Sequence, residues 1–194
     1  MINSQLVKEL RDRTGIGMME CKGALGESGG DIEEAIKILR KSDSKIADKK
    51  VGRETSEGII SCYIHSNKKV GVLVELNCES DFVAKNKEFE ELAHDLAMHI
   101  AASDPRYINY SEIEKETIKK QEEDFKEQFR KEGKPEEILD KISKEKTKKH
   151  FESICLVSQA FVKDPDKSIG DLMVEKISKI GENIKVKRFV RYEL

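Results

Sequence analysis

At 194 residues, with 38% of them charged and a net charge of −2, the chain interleaves acid and base instead of segregating them. That excludes a global field for nucleic acid or a membrane surface, and the size fits one domain or a core with a small satellite, burying roughly 70% of the unfolded surface. The apolar runs fall far short of the ~20 residues a membrane span needs, and Met1-Ile2-Asn3-Ser4-Gln5 does not open like a signal peptide, so the expectation is a soluble cytoplasmic protein.

Ser4 can cap a first helix whose apolar positions Leu6, Val7 and Leu10 share a face. Gly15-Ile16-Gly17 breaks it, and Met18-Met19-Glu20-Cys21 starts a second helix reaching about Leu25. After Ser28-Gly29-Gly30, Asp31 with Glu34 reads as a capping box for a third helix carrying Ile32, Ala35, Ile36 and Leu39. Three short helices joined by glycine turns predict a compact bundle over residues 1–42. A bundle that small is marginal alone, which suggests a docking module tethered to something larger. Residues 43–57 are charged and carry only a weak stripe at Ile46 and Val51, and read as a linker that can be helical.

From residue 58 the period changes. Ile59 to Ile64 and Val70 to Leu76 are β-rich runs flanking Ser66-Asn67-Lys68-Lys69, a hairpin with a loop longer than two residues. The second run leads straight into Asn77-Cys78-Glu79-Ser80-Asp81-Phe82-Val83-Ala84, which sets an acid beside a large aromatic where a strand stops and a helix starts. A loop held at both ends by rigid elements suits a probe for another molecule. The same two residues also suit a helix cap and an aromatic sealing the junction from inside. Asn86 can cap the next helix, with Phe89, Leu92, Ala93, Leu96, Ala97 and Ile100 on one face and a stop at Ser103-Asp104-Pro105.

Residues 111–150 are the most charged segment, with sparse apolar positions at Ile118, Phe125 and Phe129 before Gly133-Lys134-Pro135 and at Ile138, Leu139 and Ile142 after it. This pattern predicts a solvated helical hairpin folded at the Gly-Lys-Pro turn. Asp164-Pro165-Asp166 reads as a turn, and Ser168 to Ile180 as a helix ended by Gly181. Ile184 to Tyr192 reads as a strand that completes an antiparallel sheet with the hairpin. Its alternation breaks at Arg188-Phe189, which predicts a bulge. The residues from 58 to 194 thus predict an α+β core: a small antiparallel sheet packed with helices and carrying the charged hairpin.

Cys21, Cys62, Cys78 and Cys155 are scattered without a Cys-x-x-Cys pair, and the four histidines lack ligand spacing. Buried reduced thiols are expected, with no metal site and no cofactor. An enzyme would need a nucleophile–base pair, a carboxylate dyad or a metal set, and none is displayed. The clusters Lys45–Arg53 and Lys144–Lys149 could touch RNA, but they lack aromatic interleaving, so no direct nucleic-acid contact is expected.

Three stretches resemble the signatures of one family, elongation factor Ts. They are Leu6 through Lys22, Val74 through Ala84, and Lys179-Ile180-Gly181-Glu182-Asn183-Ile184, in order and at sensible distances. Ser80 stands where that family usually has threonine, and the hydroxyl is kept. The resemblance implies a ubiquitin-associated-like helical bundle ahead of a single core unit, the short form, which can dimerise to present two copies. It also implies nucleotide exchange on the GTPase elongation factor Tu, without chemistry of its own. In that picture Ser80, Asp81, Phe82 and Val83 insert beside the partner's Mg²⁺ and dislodge it. A second contact is expected from Leu10, Arg11, Ile16, Gly17, Met18 and Met19, where flexible methionines beside a glycine turn suit an apolar docking patch.

Overall fold

The computed structural model describes residues 3–14 and 16–194; the expected helix break at Gly15 lies outside them. Helices α1 (Ser4–Thr14), α2 (Met18–Glu27) and α3 (Ile32–Asp48) pack around Val7, Leu10, Cys21, Ala24, Leu25, Ala35 and Leu39. Asp31 caps α3 by accepting the Glu34 N–H at 2.9 Å, but Glu34 turns outward to Lys37 at 3.0 Å, so the expected box is half formed. The stretch expected as a linker from residue 43 is helical as far as Asp48. Its Ala47 side chain joins the main core, and Asp43 accepts a 2.7 Å hydrogen bond from the Ser178 hydroxyl. Here the helix packs through a small side chain and a polar contact instead of through large apolar residues.

Strands β1 (Glu57–Ile64) and β2 (Val70–Cys78) form the predicted hairpin, and β5 (Lys185–Glu193) pairs with β2 to give an antiparallel sheet of order β1-β2-β5. Glu75 faces Arg188 while Leu76 faces Val186, which leaves Lys187 as the extra residue of a bulge one position from where the alternation broke. A one-residue insertion of this kind lets Val186 and Phe189 both turn toward the core.

That inner face is covered by α5 (Lys87–Ser103), capped by Asn86, whose side chain accepts the Glu88 N–H at 2.8 Å. Phe89, Leu92, Ala93, Leu96, Ala97 and Ile100 are all buried against Val72, Val74 and Leu76. The second cover is α8 (Ile169–Ile180), with Ile169, Leu172, Met173 and Ile177 inward. Ser168 and Asp171 form a reciprocal capping box at its start, and Gly181 ends it in the left-handed region at φ 88°. His99 is fully buried against Phe161, its Nε2 3.0 Å from Gln159 Oε1, and burial depresses its pKa, so the ring sits neutral in the core.

Helices α6 (Lys115–Lys131) and α7 (Glu136–Ile154) make the charged hairpin, turning at Gly133 with φ 78°. Its seam holds Leu139, Ser143, Thr147 and Phe151, with Phe125 and Phe129 stacked at 6.4 Å. Asp164-Pro165-Asp166 is not a turn. It lies in strand β4 (Asp164–Ser168), which pairs with β3 (Ala160–Phe161), and the reversal falls at Val162-Lys163. A proline beside two aspartates signals a turn in sequence, but it is equally at home in a two-stranded ribbon with no neighbour on its free side. Cys21, Cys78 and Cys155 are buried free thiols as expected, whereas Cys62 is exposed on the outer face of the sheet.

Candidate functional site

The segment after β2 is held by its own caps. Cys78 donates its thiol to Ser80 O at 3.2 Å, and burial pushes that thiol's pKa up to about 11. Ser80 is the N-cap of α4 (Asp81–Ala84), a single helical turn, and its hydroxyl accepts the Val83 N–H at 3.3 Å. One turn of helix must present two residues to each side. Val83 and Ala84 face the core, each less than a tenth exposed, and Asp81 and Phe82 face solvent.

Phe82 is 80% exposed, so the ring does not seal the junction. An aromatic left uncovered in this way contributes no core contact to folding. Asp81 pairs with Lys85 at 2.9 Å across one helical turn, and that hydrogen bond, reinforced by the charge, holds its carboxyl below the usual carboxylate range. Both side chains lie in water, where such a pair is readily exchanged for another partner.

A second clamp comes from a distant segment, the turn between α8 and β5. Glu182 Oε2 accepts the Glu79 and Ser80 N–H groups at 3.1 and 3.0 Å, and its Oε1 accepts the Ser80 hydroxyl at 2.7 Å. In return Glu79 Oε1 accepts the Asn183 N–H at 2.6 Å. The buried Asn183 amide donates to Arg53 O at 2.8 Å and Val51 O at 3.3 Å, tying in the turn that follows α3. The Ser80 hydroxyl is therefore used twice, once as a cap acceptor and once as a donor, which any residue there must reproduce.

The docking residues expected from the bundle divide. Met18 and Met19 are exposed, Met19 at 79%. Arg11 and Gly17 are exposed too, and Gly17 is the N-cap of α2. Ile16 is half-buried against the bundle core. Leu10 is fully buried at its centre and offers no surface; it supports the patch from beneath. A single helix shows which residues share a face, not which of them its neighbours will cover. The Ile16-Gly17 turn borders a cleft of about 230 Å³ lined from the other side by Ser178 and Lys179 of α8. The two candidate contacts are thus linked through one helix, whose last turn is anchored to α5 by a 2.6 Å Lys179–Glu88 ion pair.

Glu79, Glu182 and Asn183 were not singled out from sequence for any role. The signal available was a carboxylate and an amide directly after a glycine C-cap, where backbone geometry is fixed well enough to grip a neighbour. Among the described residues no group of three or more His, Cys, Asp or Glu side chains gathers as a metal site, and no helix is long and apolar enough to cross a membrane.

A family model described as Elongation factor TS matches residues 17–194. The chain is 55% identical to Elongation factor Ts of Thermosipho melanesiensis over 99% of its length and 98% of the relative's. It is 53% identical to that of Thermodesulfovibrio yellowstonii, covering 100% and 96%, and 50% identical to that of Carboxydothermus hydrogenoformans, covering 100% and 89%.

Proposed function

Because the chain belongs to the elongation factor Ts family, we propose that its exposed Asp81–Phe82 turn is the working end of a nucleotide exchange factor. The chain binds elongation factor Tu in its GDP form and promotes release of GDP and its replacement by GTP during translation elongation in the cytoplasm. The single observation that carries the reading is Phe82, an aromatic held 80% exposed on a turn clamped from both sides.

No chemistry is required of the factor itself. A GTPase holds its nucleotide through phosphate-cradling amides and a Mg²⁺ bridging phosphate oxygens. A protein that binds the nucleotide-free state better weakens nucleotide binding by the same factor. Phe82 enters as a wedge beside the ion, and Asp81 leaves Lys85 for donors exposed once the ion moves. Ser80 and Val83 hold the turn instead of touching the partner. Arg11, Gly17, Met18 and Met19 dock the residue 1–42 bundle on the same partner, bringing the interface toward the ~1,000 Å² that specific complexes need.

The test is stopped-flow release of a fluorescent GDP from elongation factor Tu. The chain accelerates release when Mg²⁺ is present, and its added effect shrinks once the ion has been chelated beforehand. Acceleration that is equally large without Mg²⁺ places the action elsewhere and sinks the wedge.

The outer sheet face favours a second element of the assembly, a homodimer. Across the three strands run the rows Ile60–Glu75–Arg188, Cys62–Leu73–Val190 and Ile64–Gly71–Tyr192. Ile60, Ile64 and Tyr192 are each more than two-thirds exposed. Sheets bury such a face by stacking ~10 Å from another sheet. The occupant is a second copy, since the face carries both members of a 2.7 Å Glu75–Arg188 pair and can therefore match itself across a two-fold axis. Light scattering at micromolar concentration should report twice the chain mass, and Leu73→Lys should halve it; a wild-type monomer throughout rejects the dimer.

A further inference from the structure

The two segments that meet behind the prong lie on opposite sides of the fold's chain order, yet each offers a carboxylate to the other's backbone. Glu182 takes the consecutive N–H groups of Glu79 and Ser80 on one oxygen and the Ser80 hydroxyl on the other; Glu79 takes the N–H of Asn183. This reciprocal latch is not needed to cap a helix. Gly181 already closes α8 by donating its N–H to Ile177 O, and α4 is capped by Ser80. Nor is it a plain core contact, because Glu182 remains part-exposed. What it does is fix the Cys78–Glu79 and Glu79–Ser80 peptide groups and the Ser80 hydroxyl, just ahead of Asp81 and Phe82. Hydrogen bonds to a carboxylate are stronger than those to a neutral acceptor, and three converging on Glu182 hold the preceding backbone in one orientation.

We propose that Glu182 is a positioning residue for nucleotide exchange, acting through Ser80 and the preceding peptides to aim Phe82 at the partner. The proposal rests on the reading of Phe82 as the wedge. A wedge must arrive in one geometry, and a displacement of about 1 Å in a positioned group is enough to cost orders of magnitude in rate. With the carboxylate gone, the Glu79 and Ser80 N–H groups turn to water and the turn samples several directions. The partner still docks through the bundle and the rest of the surface. Loss should therefore appear in the rate at saturation, not in the concentration that saturates.

The experiment measures release of fluorescent GDP from the GTPase partner against concentration of the full chain, for wild type, Glu182→Ala, Glu182→Gln, Phe82→Ala and the Glu182→Ala/Phe82→Ala double variant. Thermal melts run in parallel. Glu182→Ala should lower the saturating rate by about tenfold or more, with the half-saturating concentration changed less than about threefold. Glu182→Gln keeps an oxygen for the two N–H groups and should recover most of the rate. In the Phe82→Ala background the Glu182 change should add little, since the ring is the main group it aims. A wild-type saturating rate for Glu182→Ala overturns the proposal, and so does a full further loss in the Phe82→Ala background. A loss that follows the melting temperature and is not recovered by glutamine does the same. If Phe82→Ala itself exchanges normally, the wedge reading fails along with the latch; if Phe82→Ala is impaired and Glu182→Ala is not, the latch alone fails.

Discussion

Phe82→Ala is expected to slow GDP release from elongation factor Tu by roughly ten- to a hundredfold relative to wild type while leaving the melting temperature unchanged. The magnitude follows from burial. Covering a Phe side chain contributes about 1.5–3 kcal/mol, which is one to two decades, and it matches the ~1–3 kcal/mol typical of coupling between two sites. The separation of function from stability follows from exposure. In the free protein the ring is 80% exposed, so truncating it removes no core contact and opens no cavity. Few aromatic-to-alanine changes allow that separation, because most buried rings cost 3–5 kcal/mol of folding stability when truncated. Phe89, fully buried under the sheet seven positions later, is the contrast. A folded Phe82→Ala variant that exchanges GDP at the wild-type rate would show that the ring is not the wedge. Asp81→Ala should cost less, because its carboxylate already has a solvated partner in Lys85 and loses only the difference between two such environments.

The architecture was largely readable from periodicity and caps. The hairpin, the buried stripe of α5, the glycine stop after α8 and even the bulge near Arg188 follow from which residues alternate and where alternation fails. Each of those signals is local. What stayed hidden depended on contacts across the chain. The latch joins Glu79 and Ser80 to residues more than a hundred positions away, and no spacing rule pairs a loop carboxylate with two particular amides. Leu10 stands beside Arg11 among the docking candidates, yet it lies at the centre of the bundle because α2 and α3 close over it. The outward turn of Phe82 was equally beyond the local pattern. A strand–turn–aromatic junction looks the same whether the ring seals the core or leaves it, and the choice is made by Val83 and Ala84 taking the inner positions of a helix only one turn long.

Gly58→Ala is expected to carry a large structural cost. Gly58 pairs with Asn77 across β1 and β2, one residue before the strand runs out toward the prong. A Cβ there would stand 2.3 Å from Leu76 O and 2.8 Å from the Asn77 Cα, at a φ of +155°. Those obstacles are backbone atoms of the central strand, flanked by β5 on the other side, so no side chain can rotate away to make room. Either β1 lifts off β2 or the chain adopts a strained φ/ψ. Overpacking and backbone strain each cost about 1–3 kcal/mol, and together roughly 2–6 kcal/mol, which lowers the melting temperature by roughly 4–24 °C for a chain of this size. Exchange should fall as well, since Asn77 leads directly into the latched Glu79-Ser80 peptides, and its side chain ties Thr55 O at 3.3 Å to the same edge. Gly71→Ala is the internal control. It sits in β2 of the same sheet, but a Cβ there meets nothing within 4 Å, so its melt should overlay the wild type. Equal melts for the two variants would mean that β1 can move aside at little cost, and the close approach of the strands at Gly58 would then have no part in holding the base of the prong.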